Sequence, residues 1–169
     1  TLKPVMYVAN VDEDDLPDGG EPVEELRRAV HDHDPDAPVL ALCAELEAEV
    51  SRLEPGERSE YLEMLGLEER GLDRFIRTGF RLLGLQTFFT FNEDEVRAWT
   101  VRIGASAPEA AGRVHTDFED EFIRAETIPF EEFEEVGSMK EARDEGRIRS
   151  EGKDYVVEDG DILLFRTSA

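Results

Sequence analysis

The chain has 169 residues, 40% of them hydrophobic, with 42 acids against 19 bases and a formal net charge of −23. That supports one domain or two small ones with a packed core, and the acid excess repels phosphate at long range, which disfavours non-specific nucleic-acid binding while leaving room for a local basic patch. No apolar run approaches the roughly 20 residues a membrane span needs, no basic-then-apolar leader is present, and the single cysteine, Cys43, excludes an internal disulfide and fits a reducing cytoplasm.

The chain opens Thr1-Leu2-Lys3-Pro4 and runs at once into a strand, which reads as the middle of a longer protein. Lys3 to Ala9 is expected as a buried strand, because Val5 to Ala9 is continuously apolar and such runs suit parallel strands covered on both faces. An acidic loop, Asn10 to Gly20, leads to a helix from Glu21 to about Asp32, with Pro22 in its first turn and Val23, Leu26 and Val30 on one face. "VLALC", Val39 to Cys43, is a second short buried strand. "AELEAEVSRL" follows as a helix aligning Leu46, Val50 and Leu53. Strand, helix, strand, helix is half of a doubly wound α/β layer. Two strands are too few for such a sheet, so the rest is expected before Thr1. Glu54 to Leu83 reads as helical, broken near Gly66 and Gly71, with Leu72, Phe75, Ile76, Phe80 and Leu83 on one stripe that docks and leads into a new unit.

Composition changes at Leu85. "LQTFFTFN" and "VRAWTVRIG" read as a hairpin joined by Asn92-Glu93-Asp94-Glu95. A helix with Pro108 early in it follows, then a strand, "FIRAETI". "FEEFEEVGSMKEARDEG" is helical, and "DYVVEDGDILLFR" is two strands around Glu158-Asp159-Gly160. The order ββ-α-β-α-ββ points to a β-grasp, ubiquitin-like domain, a small mixed sheet wrapping one helix.

The chemistry starts at Asn10. An asparagine amide offers an acceptor and two donors in one plane. At the carboxyl end of a parallel strand it stands where α/β sheets bind ligands. There it can accept from adenine N6 and donate to N7. P-loop GTPases place Asn-Lys-x-Asp at this point, the Asp accepting from guanine N1 and N2. Here the run is Asn10-Val11-Asp12-Glu13. A carboxylate aimed at adenine N1 would meet a lone pair, so losing the Asp geometry favours adenine, and Val11 is placed to cover one ring face. N-x-x-E alone is a weak signal, and an acidic loop is its bland alternative. The second strand supplies support. Cys43-Ala44-Glu45 occupies the slot of the Ser-Ala-Lys-like turn whose backbone touches the base in those GTPases, ahead of a helix start with free N–H groups.

"EVRAWTVRIGASAPEAAGRVHTDFEDEFIRAETIPFEEF" and "RSEGKDYVVEDGDILLF" strongly resemble the C-terminal TGS domain of the YchF family, the Obg-like ATPases. "AAGRVHTDFE" and "GKDYVVEDGD" are the most distinctive stretches, and "KPVMYVANVDED", "CAELEAEV" and "RTGFRLLGLQTFFT" extend the resemblance over nearly the whole chain. The resemblance implies a cytosolic P-loop protein of the GTPase superfamily that prefers ATP to GTP, hydrolyses it slowly with Mg²⁺ and associates with ribosomes. It makes Asn10 and Glu13 the altered base-recognition motif, with Val11 packing on the base. The departure is that no G-x-x-x-x-G-K-S/T occurs in these residues, so phosphate cradling and the Mg²⁺ hydroxyl are lacking, as is the family's helical insertion.

Residues 1–82 are therefore expected to be the C-terminal portion of a P-loop (GTPase-like) α/β nucleotide-binding domain, and 83–169 a β-grasp TGS domain. The nucleotide site is assigned to Asn10, Val11, Glu13, Cys43, Ala44 and Glu45, with no catalytic or metal-binding residue and no hydrolysis by this stretch alone. The expected partners are ATP with its Mg²⁺, GTP more weakly, and the ribosome, with no membrane. The alternative is a non-catalytic β-grasp module that binds ribosome or protein partners.

Four further groups carry a functional and a bland reading. His31 and His33 in "HDHDPD" are a metal pair or a solvated helix end. His115, Thr116 and Asp117 are a proton-transfer set or a backbone cap supplied by Thr116 and Asp117. Trp99 is a stacking platform or core. Arg143, Arg147, Arg149 and Lys153, the one basic cluster, are a weak RNA contact or the neutralisers of Glu141, Asp144, Glu145 and Glu151. Lysine occurs only at Lys3, Lys140 and Lys153, and an acid excess with so little lysine fits a protein adapted to high salt.

Overall fold

A computed structural model describes residues 3–91 and 95–168, which fall into two compact units, Thr1–Leu83 and Gly84–Ala169. In the first, strands β1 (Tyr7–Asn10) and β2 (Val39–Leu42) pair in parallel, with Tyr7 opposite Val39 and Asn10 opposite Leu42. Helix α1 (Gly20–His31) connects them. Its buried residues, Val23 and Val30, are a heptad apart, and Leu26 between them is half-buried. Gly19 enters α1 at φ 86°, and a Cβ there would lie 2.3 Å from Val23 Cγ2, so only glycine fits. Helices α2 (Ala44–Val50), α3 (Pro55–Met64) and α4 (Gly71–Leu82) follow. Cys43, Leu46, Val50 and Leu62 form the core beneath β2, with Leu16, Tyr61, Leu65 and Leu67 packed against it.

Two expectations fail in this unit. β1 is shorter than its apolar run and is not buried: Val5 is 39%, Tyr7 39% and Val8 42% exposed. Among the described residues β1 pairs with β2 alone, so the neighbours that a continuous apolar strand calls for are not supplied. The apolar stripe of α4 forms but stays open as well, with Leu72 38%, Phe75 38% and Ile76 48% exposed. The expected break between the helices is present, at Gly66, whose φ is 69°.

The second unit is a five-stranded sheet in the order β4-β3-β7-β5-β6. Its strands are β3 (Leu85–Phe91), β4 (Val96–Arg102), β5 (Phe122–Pro129), β6 (Arg149–Glu151) and β7 (Asp161–Thr167). The central pair, β3 and β7, is parallel, and the other pairings are antiparallel. Helix α5 (Ala107–Val114) lies against one face, where Ala107, Ala110 and Ala111 allow close approach to Phe88, Val101, Ala125 and Leu163. Glu109 Oε2 accepts from Ser106 N–H at 2.7 Å and closes the helix start around Pro108. A short helix α6 (Thr116–Asp120) follows. Helices α7 (Phe130–Val136) and α8 (Met139–Asp144) cover part of the other face, where Ala142 of α8 packs with Ile128 and Ile162.

The expected single helix from Phe130 is split by Gly137, in the left-handed region at φ 76°. "DYVVED" is not a strand. Val156 makes one isolated bridge to Ser106, and the backbone around Glu158 turns to meet the Asp161 carboxylate. The fifth strand is instead Arg149–Glu151, which pairs with β5. Of the expected hairpin turn, Asn92, Glu93 and Asp94 lie outside the described residues, while β3 and β4 pair on either side of it.

Candidate functional site

In a parallel pair both strands deliver their following loops to one edge, and ligands bind there. Here that edge carries Asn10 and Val11 after β1, and Cys43 to Glu45 after β2. Val11 N–H donates to the Leu42 carbonyl at 3.0 Å, which extends the ladder and fixes where Asn10 stands. Asn10 Oδ1 accepts from Ala44 N–H at 2.9 Å. An N–H can face only an acceptor, so the amide oxygen is the atom turned to Ala44, and the amide nitrogen with its two hydrogens points elsewhere.

The first turn of α2 can be accounted for donor by donor. Ala44 N–H goes to Asn10, Leu46 N–H to Cys43 Sγ at 3.5 Å, and Glu47 N–H to the Cys43 carbonyl at 3.0 Å. Glu45 N–H has no acceptor among the described residues. Cys43 is thus the N-cap of α2 and part of the core, 7% exposed, rather than an open thiol. Of the backbone donors expected to meet a ligand, Ala44 N–H is engaged by Asn10, while Glu45 N–H has no acceptor among the described residues. Asn10 Nδ2 likewise has no acceptor among the described residues.

Helix α4 braces the edge from beside it. Arg70 donates to Glu47 Oε2 through Nη2 at 3.1 Å and Nε at 3.3 Å, with both side chains about 15% exposed, and Arg74 Nη2 reaches the Ala41 carbonyl at 3.4 Å. The bulk of α4 approaches closely because residue 71 is glycine; a Cβ there would lie 3.0 Å from Glu47 Oε1. Val11 is half-buried. Glu13 opens a single 3₁₀ turn, Glu13–Asp15, and lines a surface cavity of about 310 Å³ with Leu16, Met64, Leu65 and Leu67, toward α3. No hydrogen bond joins Glu13 to Asn10 among the described residues. A larger cavity, about 540 Å³, lies elsewhere, at the start of β2 and the end of α1 between Arg27, Arg28, His31 and Val39.

The other sequence candidates separate. His31 ends α1 and His33 stands exposed in the turn beyond it. Among the described residues no group of three His, Cys, Asp or Glu side chains is arranged to hold a metal ion. His115, not Thr116 or Asp117, caps α6: its Nδ1 accepts from Asp117 N–H at 3.3 Å. Trp99 packs against the α5-side core and donates to Thr90 Oγ1 at 2.8 Å. The four-residue basic cluster is not one patch. Arg147 pairs with Glu135 and Glu145, and Arg149 with Glu151 and Tyr155, while Arg143 turns to Glu126 at 3.3 Å. Arg124 and Arg166 join it there. Sequence reading missed those two because they are 42 residues apart, and only the β5–β7 register makes them neighbours. Among the described residues no helix is long and apolar enough to cross a membrane.

The chain is thus a mixed α/β protein of two units, a parallel α/β layer with a donor-bearing strand edge followed by a mixed sheet covered by helices on both faces. It belongs to the YchF family. Residues 85–168 match the family model YchF-GTPase_C, described as a protein of unknown function (DUF933). The chain is 48% identical over 165 residues to "Ribosome-binding ATPase YchF" of Escherichia coli O157:H7, covering 98% of this chain and 45% of that protein. It is 48% identical over 168 residues to the protein of the same name from Bacillus subtilis (strain 168), again covering 98% of this chain and 45% of the relative. To human "Obg-like ATPase 1" it is 41% identical over 167 residues, 98% of this chain and 42% of that one. The solved Schizosaccharomyces pombe YchF GTPase superposes with a TM-score of 0.81 at 32% identity, over 97% of this chain and 43% of that one. The chain spans under half the length of the curated relatives it matches.

Proposed function

We propose that this chain supplies the adenine-recognition edge and the TGS domain of a ribosome-associated, Mg²⁺-dependent ATPase of the GTPase superfamily that works in the cytoplasm. Residues 1–82 are the C-terminal portion of its P-loop domain. Residues 83–169 are a β-grasp domain, a reading supported by the sheet order with its first and last strands parallel at the centre. The names of the relatives, "Ribosome-binding ATPase YchF" and "Obg-like ATPase 1", support the partner and the nucleotide.

The observation that carries the reading is the Asn10–Ala44 hydrogen bond. It holds the amide at the strand edge with Nδ2 free to donate to purine N7. It also uses up the Ala44 N–H, a donor that a 6-keto group would need, so the edge is poorer for guanine than for adenine. Glu45 N–H adds a second donor, and Val11 offers an apolar flank. Glu13 contributes by what it does not do, since its longer side chain stands in place of the Asp whose carboxylate would read guanine N1 and N2. The metal would take its ligands from the triphosphate and from protein groups beyond this site.

Competition between ATP and GTP for the full-length protein tests the proposal. ATP should displace a fluorescent adenine nucleotide at a much lower concentration than GTP. Equal competition, or a preference for GTP, would remove the adenine assignment. No nucleotide binding at all, with ribosome binding intact, would leave the interaction module.

A further inference from the structure

We infer that the part of the five-stranded sheet left open beside α7 and α8 is a docking surface for an amphipathic helix of a partner protein, a helix with one face apolar in its first turns and acidic in the next. The inference goes beyond the nucleotide and the ribosome and rests on neither. The strand registers lay out the floor. Val96 of β4 stands opposite Phe91 of β3, and Leu164 of β7 stands opposite Glu126 of β5. The parallel β3–β7 register, with Thr90 opposite Leu163, brings Phe91 beside Leu164. Phe89, Ile162 and Ile128, two residues along the same strands, form the next row, and α7 and α8 close over that one through Phe133, Val136, Met139 and Ala142. The row from Val96 to Glu126 stays open: Val96 is 65% and Phe91 36% exposed, and Leu164 is half-buried.

The row crosses three strand spacings, about 14 Å, the length of about ten residues of helix. Strands β3, β7 and β5 are paired along both edges, so their backbone groups are taken. An extended peptide lying flat on this face would bury N–H and C=O groups without partners, whereas a helix satisfies its own and presents one stripe of side chains. The floor is apolar at the β4 end and charged at the β5 end, and the stripe must change character in the same order.

Charge complementarity fixes the sign. Arg166 Nε lies 3.2 Å and Arg124 Nη2 3.7 Å from Glu126 Oε1, and Arg143 Nη2 lies 3.3 Å from Oε2. Among the described residues none of the three arginines pairs with a second acid, so one carboxylate faces three guanidiniums in a chain whose net charge is −23. Glu126 is only 15% exposed, while Arg124 is 53%, Arg143 57% and Arg166 48% exposed. The carboxylate orients the three forks from below and leaves their outer N–H groups for an incoming carboxylate. A helix with one acidic turn uses both ends of the floor. A polyanion would use the arginines, leave Val96 and Leu164 without a partner, and meet the repulsion of the whole chain at long range.

The experiment measures fluorescence anisotropy of a labelled, alanine-rich helical peptide of about 16 residues with the full-length protein. Its first half carries leucines one turn apart, and its second half carries glutamates one turn apart on the same face. The protein variants are Val96→Ser, Phe91→Ala, and Arg124→Gln with Arg143→Gln, which leaves Arg166 to pair with Glu126. The wild type should bind the peptide saturably. Val96→Ser and Phe91→Ala should each bind about fivefold more weakly, at low and high salt alike. Val96 is exposed enough that its variant keeps the fold and carries the apolar test if Phe91→Ala does not. The double-arginine variant should bind about fivefold more weakly at about 0.1 M salt and differ less from the wild type at about 0.5 M. A peptide with lysines in place of the glutamates should not bind. Absence of saturable binding by the wild type would overturn the inference, as would equal binding of the lysine peptide or wild-type affinity in the double-arginine variant. Wild-type affinity in both apolar variants, or displacement by oligouridylate as effective as by unlabelled peptide, would overturn it in favour of a polyanion such as RNA.

Discussion

Replacing Asn10 by aspartate separates its two jobs. The side chain links β1 to α2 through Oδ1, and it offers Nδ2 to a ligand. Aspartate keeps an oxygen in place of Oδ1, and an anion accepting from the first N–H of a helix is favoured by the dipole by about 0.3–1 kcal/mol. The folded state of Asn10→Asp should therefore be as stable as the wild type or slightly more so. Binding should behave oppositely. The donor to purine N7 is gone, and a carboxylate lone pair now faces a ring-nitrogen lone pair. The lost hydrogen bond from Nδ2 is worth about 0.5–1.5 kcal/mol, and repulsion adds to it, so ATP affinity should fall about tenfold. Asn10→Ala should lose the hydrogen bond without the repulsion, hence somewhat less affinity, and also about 0.5–1.5 kcal/mol of stability, limited because Ala44 is exposed and water can replace the amide. The assay is isothermal titration with ATP on the full-length protein, beside a urea melt of each variant. Wild-type affinity in Asn10→Asp with its fold intact would refute the reasoning, because the amide nitrogen would then have no part in binding.

Substitutions at three other positions test the fold of the two units. Gly19→Ala forces a methyl to 2.3 Å from Val23 Cγ2 at φ 86°, so it should cost about 2–4 kcal/mol in denaturant melts, and a loss below 1 kcal/mol would show that the loop simply shifts. Cys43→Ala should lose about 0.5–2 kcal/mol with the α2 cap, while Cys43→Ser should stay near wild type; an equal loss in both would make the sulfur a packing group alone. Burial first, and then the hydrogen bond to Asp161, push the Tyr155 hydroxyl well above its ordinary value of 10.0. The native state keeps that proton when the unfolded chain gives it up, so this contribution is present below pH 10 and is lost as pH rises beyond it. Tyr155→Phe should be less stable at neutral pH, since Asp161 is 1% exposed and loses a donor at 2.7 Å, and should show a shallower decline in alkaline melts; a parallel decline would exclude Tyr155 as its source.

Legibility followed the range of the interactions. The 3.6-residue period placed α1 and α4, and the glycines marked their ends. Asn10 at the edge of a parallel pair was readable because strand, helix, strand is a local pattern. What Asn10 does with its acceptor was not readable, because Ala44 is 34 residues away and no pattern ties an amide to one particular N–H. The apolar run of β1 signalled a buried strand, since composition reports the neighbours a strand is built for, and the described residues supply one of them. Arg149–Glu151 is three residues long, below the length at which period 2 registers. The Glu126 site failed for a different reason. Counting charges along the chain grouped Arg143 with Arg147, Arg149 and Lys153, whereas the sheet groups it with Arg124 and Arg166 across three elements.

The acid excess constrains where each kind of recognition can be placed. Asp12, Glu13, Asp14 and Asp15 follow β1, and Glu45 and Glu47 begin α2, so the proposed base edge is ringed by carboxylates. A triphosphate there would be repelled at every approach. A neutral heterocycle is not, and the groups offered to it, an amide nitrogen and a backbone N–H, are neutral too. Hydrogen bonds between neutral partners change little with salt, whereas the repulsion of the surrounding acids is screened within about 10 Å at 0.1 M. This arrangement turns charge into orientation. A nucleotide can enter base first, with its phosphates held away from the acidic loops, toward the groups that neutralise them. The positive cluster around Glu126 belongs to the second unit, and at the strand edge Arg70 is matched by Glu47 while Arg74 turns to the Ala41 carbonyl. Selectivity for adenine at this edge is therefore expected to persist as salt rises, even where total nucleotide affinity changes.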